Sequence, residues 1–217
     1  MSSTAPIERK PRKERTKNAD KRRQQLLTAT LRSIVSNGLT KTTLATVATE
    51  AGLSQGVAVF YFHSKTGLLT EALREQYQIY ENNWKSLLAK AGPDPLDQLL
   101  AMIKADFAPK ICGPEALSIW FAFWGEQKFT PQYAEISAQF DISRTAAIRR
   151  ICRKLVADTP TGRADMVAAW IDTFTDGYWQ KLHLFPRTET REMAISATFA
   201  LIAQLMPEHA ARLNLMT

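Results

Sequence analysis

Aromatic side chains and carboxylates recur at helical spacing in the last two thirds of this 217-residue chain. Trp120 and Trp124 lie one helical turn apart, and Asp172, Asp176 and Trp179 follow the same period further along. A carboxylate in apolar surroundings is costly unless it is paired or binds something. Aromatic faces beside a carboxylate suit an organic cation, above all a quaternary ammonium, which has no N–H to donate. The alternative is plain core packing, which is the commoner reason for any single aromatic residue at such spacing.

Another aromatic stripe, Tyr77, Tyr80 and Trp84, lies on a long helix predicted from Lys65 to about residue 91. Together these stripes predict a site for a small organic ligand, with an organic cation as the class that they suit. The predicted ligand-binding residues are Tyr80, Trp84, Trp120, Trp124, Asp172, Asp176 and Trp179.

The net charge of +7 is concentrated at the start of the chain. Residues 1–70 contain twelve Lys and Arg against four Asp and Glu, a net charge of +8, whereas residues 71–217 carry −1. A basic segment of this kind predicts a polyanionic partner, either nucleic acid or an anionic membrane surface. The first residues alone would also fit a disordered solubilising tail.

Residues 42–62 predict a helix-turn-helix, in which helices at about 43–51 and 55–61 flank Gly52. The second helix would enter the DNA major groove with its N-terminus leading. Gln55 would bond base edges, Gly56 would permit close approach, and Val59 and Ala58 would touch thymine methyl groups. Tyr61, Lys65 and Thr43 would hold phosphates. The predicted DNA-binding residues are Arg22, Arg23, Thr43, Ser54 (also a helix cap), Gln55, Gly56, Val57, Val59, Tyr61 and Lys65.

The stretch from Leu44 to Leu69 resembles the DNA-binding domain of TetR-type transcriptional regulators. It carries their pattern L-x-x-V-A-x-x-A-G-L-S-x-G-x-x-x-x-Y-F-x-S-K-x-x-L-L. The resemblance implies a homodimer that reads a palindromic double-stranded DNA operator and pairs through its last two long helices. Many relatives have an aromatic residue where Val59 stands, so their base contacts cannot be transferred to this chain.

The blocks GPEALSIWFAFW (113–124) and TDGYWQKL (175–182) resemble the ligand domain of the choline-responsive repressors of glycine-betaine synthesis. Thr175 and Lys181 stand where those proteins have Ile and Arg. This resemblance implies choline or a similar quaternary amine as inducer. A TetR-type regulator that responds to a different small organic ligand could keep the same blocks and is the alternative.

The predicted fold is all-α, with about nine helices separated by Pro and Gly. We expect a flexible basic arm (1–16), a three-helix helix-turn-helix domain (17–66) and a helical ligand-binding and dimerisation domain (67–217). Apolar residues on the last two helices, predicted at 161–184 and 188–206, could serve both the core and the partner. These are Val167, Ile171, Ile195, Phe199, Ile202 and Met206.

Other functions find little support in the sequence. There is no nucleophile–base pair, phosphate loop or metal-ligand spacing, and His63, His183 and His209 are scattered, so we expect neither an enzyme nor a cofactor. Cys112 and Cys152 are too few for a disulfide framework and are expected to be buried thiols. No long apolar run or signal peptide occurs, which predicts a cytoplasmic protein with no membrane partner. An electrostatic binder of polyanions or membrane surfaces remains the alternative outside gene regulation.

Overall fold

The computed structural model describes residues 12–156 and 162–214, which form helices and no strand. This part of the chain contains eleven α-helices and one 3-10 turn, so the all-α prediction is confirmed. The count exceeds the predicted nine because α6 and α11 have only four or five residues, too few to show a period. The helices are α1 (Arg12–Lys41), α2 (Leu44–Glu50), α3 (Gln55–Phe62), α4 (Lys65–Lys90), α5 (Pro95–Asp106), α6 (Pro109–Cys112), α7 (Pro114–Glu126), α8 (Pro131–Leu155), α9 (Arg163–Leu184), α10 (Arg191–Leu205) and α11 (Ala210–Asn214), with the 3-10 turn at Pro207–His209.

The chain divides into two compact units, Met1–Ala72 and Leu73–Thr217. Helix α4 begins in the first unit and ends in the second, so the boundary falls inside this helix, a few residues beyond the predicted position at 66/67. Helix α1 begins at Arg12 rather than at Lys17. Residues 12–16, which the sequence analysis assigned to the arm, are therefore helical, and residues 1–11 of the predicted arm lie outside the described part.

The first unit packs α2 against both α1 and α3. Thr43 caps α2 reciprocally with Thr46: the Thr46 amide donates to Thr43 Oγ1 at 3.1 Å, and the Thr43 amide donates to Thr46 Oγ1 at 2.9 Å. Gly52 turns the chain between α2 and α3 with a φ of 64°, a left-handed conformation that glycine adopts without a steric cost. The helix-turn-helix is thus held by a cap, a glycine turn and a small apolar core that includes Val47 and Ala48.

The second unit is a helical domain in which α8 packs on α5 and α9, and α9 also packs on α7 and α10. Proline occupies the first turn of α5 to α8, where its missing N–H costs nothing. Phe107, Trp120, Phe123 and Phe199 are fully buried and fill the core. No helix in the described ranges is both long enough and apolar enough to cross a membrane.

The residues predicted to serve both the core and a partner lie mostly in this core. Val167, Ile171, Phe199, Ile202 and Met206 are buried within the single chain, and Ile195 is half-buried. The exposed apolar side chains of α9 and α10 are others, namely Met166, Trp170, Leu184 and Met193. The helical period therefore identified residues that face the core, and it missed the exposed apolar residues of the same two helices.

Candidate functional site

A cavity of about 400 Å³ opens among α4, α7, α8 and α9 of the second unit. Its volume is within the range that is usual for small-molecule sites, roughly 300–1,000 Å³. The lining residues are Tyr77 and Tyr80 (α4), Trp120 and Trp124 (α7), Gln127, Ser137, Asp141, Arg144 and Thr145 (α8 and the residue after α7), and Asp172, Asp176 and Trp179 (α9).

Five aromatic rings form one wall of the cavity. The Trp179 ring centroid lies 5.9 Å from those of both Trp120 and Trp124, and the planes of Trp124 and Trp179 are within 15° of parallel. The Tyr80 ring meets Trp120 and Trp179 edge to face at 6.0 and 5.8 Å. Tyr77 adds an edge contact to Trp120 at 4.7 Å. Such offset and T-shaped contacts are favourable for aromatic pairs and fix the orientation of the wall.

The indole N–H groups of two of these residues are bonded away from the ligand space. Trp120 Nε1 donates to the Ile111 carbonyl at 3.2 Å, and Trp179 Nε1 donates to the Asp106 carbonyl at 3.1 Å. Because both N–H groups already donate to backbone carbonyls, the two residues offer a ligand their ring surfaces and no hydrogen-bond donor. A ring surface attracts a cation through the negative face of the π-system.

An ion-pair network built around Arg144 joins four helices beside the rings. Arg144 Nη1 donates to Asp172 Oδ1 at 2.8 Å, and Nε donates to Asp106 Oδ1 at 3.3 Å, while Nη2 also pairs with Asp106. Tyr80 Oη donates to the same Asp106 carboxylate at 2.8 Å. Burial raises the pKa of the Asp106 carboxyl, and the Arg144 charge and the Tyr80 hydroxyl oppose that rise.

Negative charge exceeds positive charge at this cavity. Arg144 is shared by Asp106 and Asp172, whereas in the described part of the chain Asp141 and Asp176 form no salt bridge. Solvent reaches Asp176 through the cavity, yet the surrounding protein desolvates it enough to raise its pKa to about 6. Arg144 opposes this rise, and Asp172, Asp106 and Asp141 add to it. At neutral pH the site therefore offers carboxylates that a bound cation would neutralise.

Six of the seven predicted ligand residues line the cavity, and Trp84 does not. Trp84 is buried one turn beyond Tyr80 on α4, with Lys85 Nζ 5.5 Å from its ring centroid. Asp106 and the lining residues of α8 were not predicted from the sequence. A usable signal was present on α8, because Ser137, Asp141, Arg144 and Thr145 recur at helical spacing beside an apolar stripe.

Helix α3, the second helix of the helix-turn-helix, has one exposed face. Gln55, Gly56 and Val59 lie on this exposed face, and Val57 and Tyr61 are half-buried. Ala58 is fully buried, so the suggestion that it touches thymine is wrong. Ser54 occupies the position before α3, but its side chain makes no capping hydrogen bond. The exposed Ser54 hydroxyl thus remains accessible from the same face.

The predicted basic residues differ in how they are engaged. Arg22 is exposed, whereas Arg23 forms a salt bridge with Glu71 and its guanidinium lies 5.8 Å from the Phe62 ring centroid. Lys65 Nζ donates to the Thr40 carbonyl at 2.6 Å, which ties the start of α4 to the end of α1. Arg22 is therefore better placed than Arg23 to meet an external anion.

Neither metal nor thiol chemistry has a basis in the described ranges. They contain no group of His, Cys, Asp and Glu that could hold a metal ion. Cys112 and Cys152 are buried, and desolvation raises the pKa of each thiol to about 12. Both thiols are protonated at neutral pH and hence weak nucleophiles.

Comparison with known proteins adds to this geometry. Residues 26–72 match the bacterial regulatory proteins of the tetR family, and residues 95–207 match the C-terminal domain of the BetI-type transcriptional repressor. The chain belongs to the TetR family. This TetR-family chain is therefore a transcriptional repressor of the BetI type rather than an enzyme. Membership also favours DNA over a membrane surface as the polyanion that the basic first unit meets.

Individual relatives agree with the assignment. The TetR-family chain is 31% identical to the HTH-type transcriptional regulator BetI of Stenotrophomonas maltophilia over 73% of its own length and 79% of that protein. It is 32% identical to BetI of Paraburkholderia xenovorans over 73% and 80% of the two chains.

Solved structures share the fold at lower identity. A transcriptional regulator from Pseudomonas aeruginosa PAO1 superposes with a TM-score of 0.77 at 22% identity, over 89% of this chain and 94% of that one. A transcriptional regulator from Saccharomonospora viridis, crystallised in complex with choline, has a TM-score of 0.74 at 19% identity, over 84% and 96%.

Proposed function

We propose that this repressor is released from a palindromic operator when choline or a related quaternary amine enters the cavity of the second unit. The observation that carries the proposal is the cavity itself, in which tryptophan and tyrosine rings face an excess of carboxylates. The choline complex of the structural relative and the BetI name of the sequence relatives point to the same ligand class.

The chemistry of the cavity favours a quaternary ammonium over most other metabolites. A trimethylammonium group cannot donate a hydrogen bond, so it is recognised by ring faces and by the field of nearby carboxylates. Trp124 and Trp179 supply ring surface, and Asp176 supplies charge at neutral pH. A carboxylate-bearing ligand would be repelled by Asp141 and Asp176, because Arg144 is already shared by two other acids.

DNA binding is assigned to α3, the cap of α2 and the exposed basic surface of α1. Gln55, Gly56 and Val59 form the exposed face of α3 and would meet base edges in the major groove. Thr43 at the start of α2, together with Arg22 and Lys65, would hold phosphates that set the position of α3. Exposure supports the roles of Gln55, Gly56, Val59 and Arg22, whereas those of the half-buried Thr43 and Lys65 rest on chemical type and position.

A homodimer through α9 and α10 fits the surface of the second unit. Met166 and Trp170 lie one turn apart on α9 and are 44% and 50% exposed, so they form an exposed apolar patch. Met193 adds an exposed apolar group on α10. Two-fold pairing would also present two α3 helices to half-sites about 34–36 Å apart, as a palindrome requires.

Release requires the ligand to bind one conformation of the repressor more tightly than another. Tyr80 is the natural point of coupling, because it borders the cavity and bonds Asp106 while belonging to α4, the helix that starts in the DNA-binding unit. A cation beside Asp172 and Asp176 would compete with Arg144 for carboxylate and so alter the partners of Asp106.

The test is an operator-binding titration by fluorescence anisotropy, with choline chloride added against a sodium chloride control of equal ionic strength. The control is needed because salt alone weakens protein–DNA complexes. Release by choline at concentrations where sodium chloride has no effect supports the proposal. Operator binding that choline leaves unchanged contradicts the choline assignment and favours a regulator with a different inducer. No operator preference at any salt concentration would contradict sequence-specific repression altogether.

A further inference from the structure

The exposed face of α3 is unusually apolar at its centre. Val59 is 41% exposed and Phe60 is 72% exposed, and the two follow Gln55 and Gly56 by one helical turn on the same side. In the described part of the first unit, residues 12–72, these are the only large apolar side chains that are exposed. The helix-turn-helix thus presents one amide, one glycine and two apolar groups outward.

Phe60 contributes little to holding the first unit together. Its ring meets Tyr61 edge to face at 5.1 Å and an interplanar angle of 83°, and most of its surface faces solvent. The core contacts of α3 come from Ala58 and Phe62 on the opposite side of the helix. An exposed phenylalanine on a strongly basic unit fits a partner that combines negative charge with apolar groups.

The DNA major groove has that combination, because phosphates line it and the C5-methyl group of thymine is its main apolar feature. We propose that Phe60, with Val59 beside it, reads thymine methyl groups, so that each operator half-site carries thymine where the middle of α3 faces the bases. Phe60 is then a specificity-determining residue. The inference rests on the proposed DNA-binding function and adds to it the chemistry by which α3 selects bases.

Deoxyuridine provides the test, since it pairs as thymidine does and lacks only the methyl group. A preferred duplex is first selected from a random-sequence library with the full-length protein. Each thymine of that duplex is then replaced singly by deoxyuridine, and the dissociation constant is measured for the unaltered protein and for Phe60→Ala. Phe129→Ala is the matched control, because Phe129 is 74% exposed but belongs to the second unit.

The proposal predicts one or more thymines at which deoxyuridine weakens binding by the unaltered protein about fourfold, the equivalent of one buried methyl group. Phe60→Ala should bind the thymine duplex more weakly and should no longer distinguish thymine from uracil at that position. Phe129→Ala should distinguish them as the unaltered protein does.

Two results would overturn the inference while leaving the repressor function intact. One is a selected duplex at which no thymine-to-uracil change affects binding. The other is Phe60→Ala binding weakly but with undiminished sensitivity to uracil, which would place Phe60 on the sugar–phosphate backbone. Failure of the library to yield any preferred sequence would instead overturn the proposed function together with this inference.

Discussion

The guanidinium of Arg144 donates a hydrogen bond to the Asp172 carboxylate across 2.8 Å, at the edge of a cavity walled by aromatic rings. The same guanidinium pairs with Asp106, which also accepts from Tyr80. Helices α4, α5, α8 and α9 are therefore joined beside the cavity by two ion pairs and the Tyr80 hydrogen bond. The network explains how the domain retains a fully buried acid, Asp106, in its interior.

Breaking this network should destabilise the second unit strongly. Arg144→Met leaves Asp106, which is 1% exposed, without its cationic partner, and removal of one member of a buried pair costs about 3–5 kcal/mol. Urea denaturation followed by circular dichroism measures the loss. The matched control is Arg153→Met, which removes a solvent-exposed pair with Asp165 and should cost at most about 1 kcal/mol. Equal losses for the two variants would contradict the structural role given to Arg144.

Removing one ring should weaken ligand binding without affecting DNA binding. Trp124→Ala removes one half-buried ring from the cavity wall, and the loss of its cation–π contact should lower choline affinity about 5- to 30-fold. Trp84→Phe, a change outside the cavity, should leave choline affinity unaltered. Calorimetry with each variant gives the dissociation constants. A large effect of Trp84→Phe and none of Trp124→Ala would place the ligand elsewhere.

Choline affinity should fall as the solution is acidified through the pKa of Asp176. Desolvation raises that pKa to about 6, so the carboxyl becomes neutral below this pH and attracts a cation less. The charge of choline does not change with pH, so the protein alone sets the dependence. The stability of the ligand-free protein should change in the opposite direction. Because the folded-state pKa of Asp176 lies above its unfolded value of about 3.9, protonation favours the folded state, and stability rises as pH falls through this window.

The measurement for this prediction is choline affinity and ligand-free melting temperature across pH about 7.5 to about 5. Asp176→Asn should bind choline more weakly at neutral pH and lose most of the dependence. A pH profile identical in the variant would assign the titration to another group, such as Asp141, whose pKa burial also raises.

A charge on the outer face of α9 should dissociate the proposed homodimer. Trp170→Glu places a carboxylate where the proposed interface would bury an indole, so the variant should sediment as a monomer at concentrations where the unaltered protein sediments as a dimer. Ile142→Glu is the control, since Ile142 is 70% exposed on α8. Dissociation by the α8 variant alone would move the interface to α8.

Arg22 and Arg23 should differ in their contribution to DNA binding. Arg22→Gln should reduce the slope of log affinity against log salt by about 0.9, the value for one phosphate contact. Arg23→Gln should reduce the slope less and lower stability more, because Arg23 is paired with Glu71. Salt titrations of operator binding compare the two variants directly, and a larger slope change for Arg23 would reverse the assignment.

Elements with strong local signals could be predicted from the sequence, whereas the contacts that depend on how helices pack against one another could not. Gly52 marks the turn of the helix-turn-helix because a left-handed conformation depends on residue type, whereas the cap predicted at Ser54 does not form. The stripe of Tyr80 and Trp84 defines a helix face, but the cavity ends before Trp84. The period could not predict this, because it carries no information about where along the helix axis a neighbouring helix packs. Arg144 was missed for the related reason that its partners, Asp106 and Asp172, are distant in sequence.

The most direct test of the central claim is calorimetric titration of the full-length protein with choline and with its neutral isostere, in which a tert-butyl group replaces trimethylammonium. The two ligands have the same shape and differ only in charge. An anionic aromatic cavity predicts saturable binding of choline and affinity for the isostere lower by about tenfold or more. Equal affinity for the two ligands, or no binding of choline, would contradict the claim that this cavity recognises a quaternary ammonium.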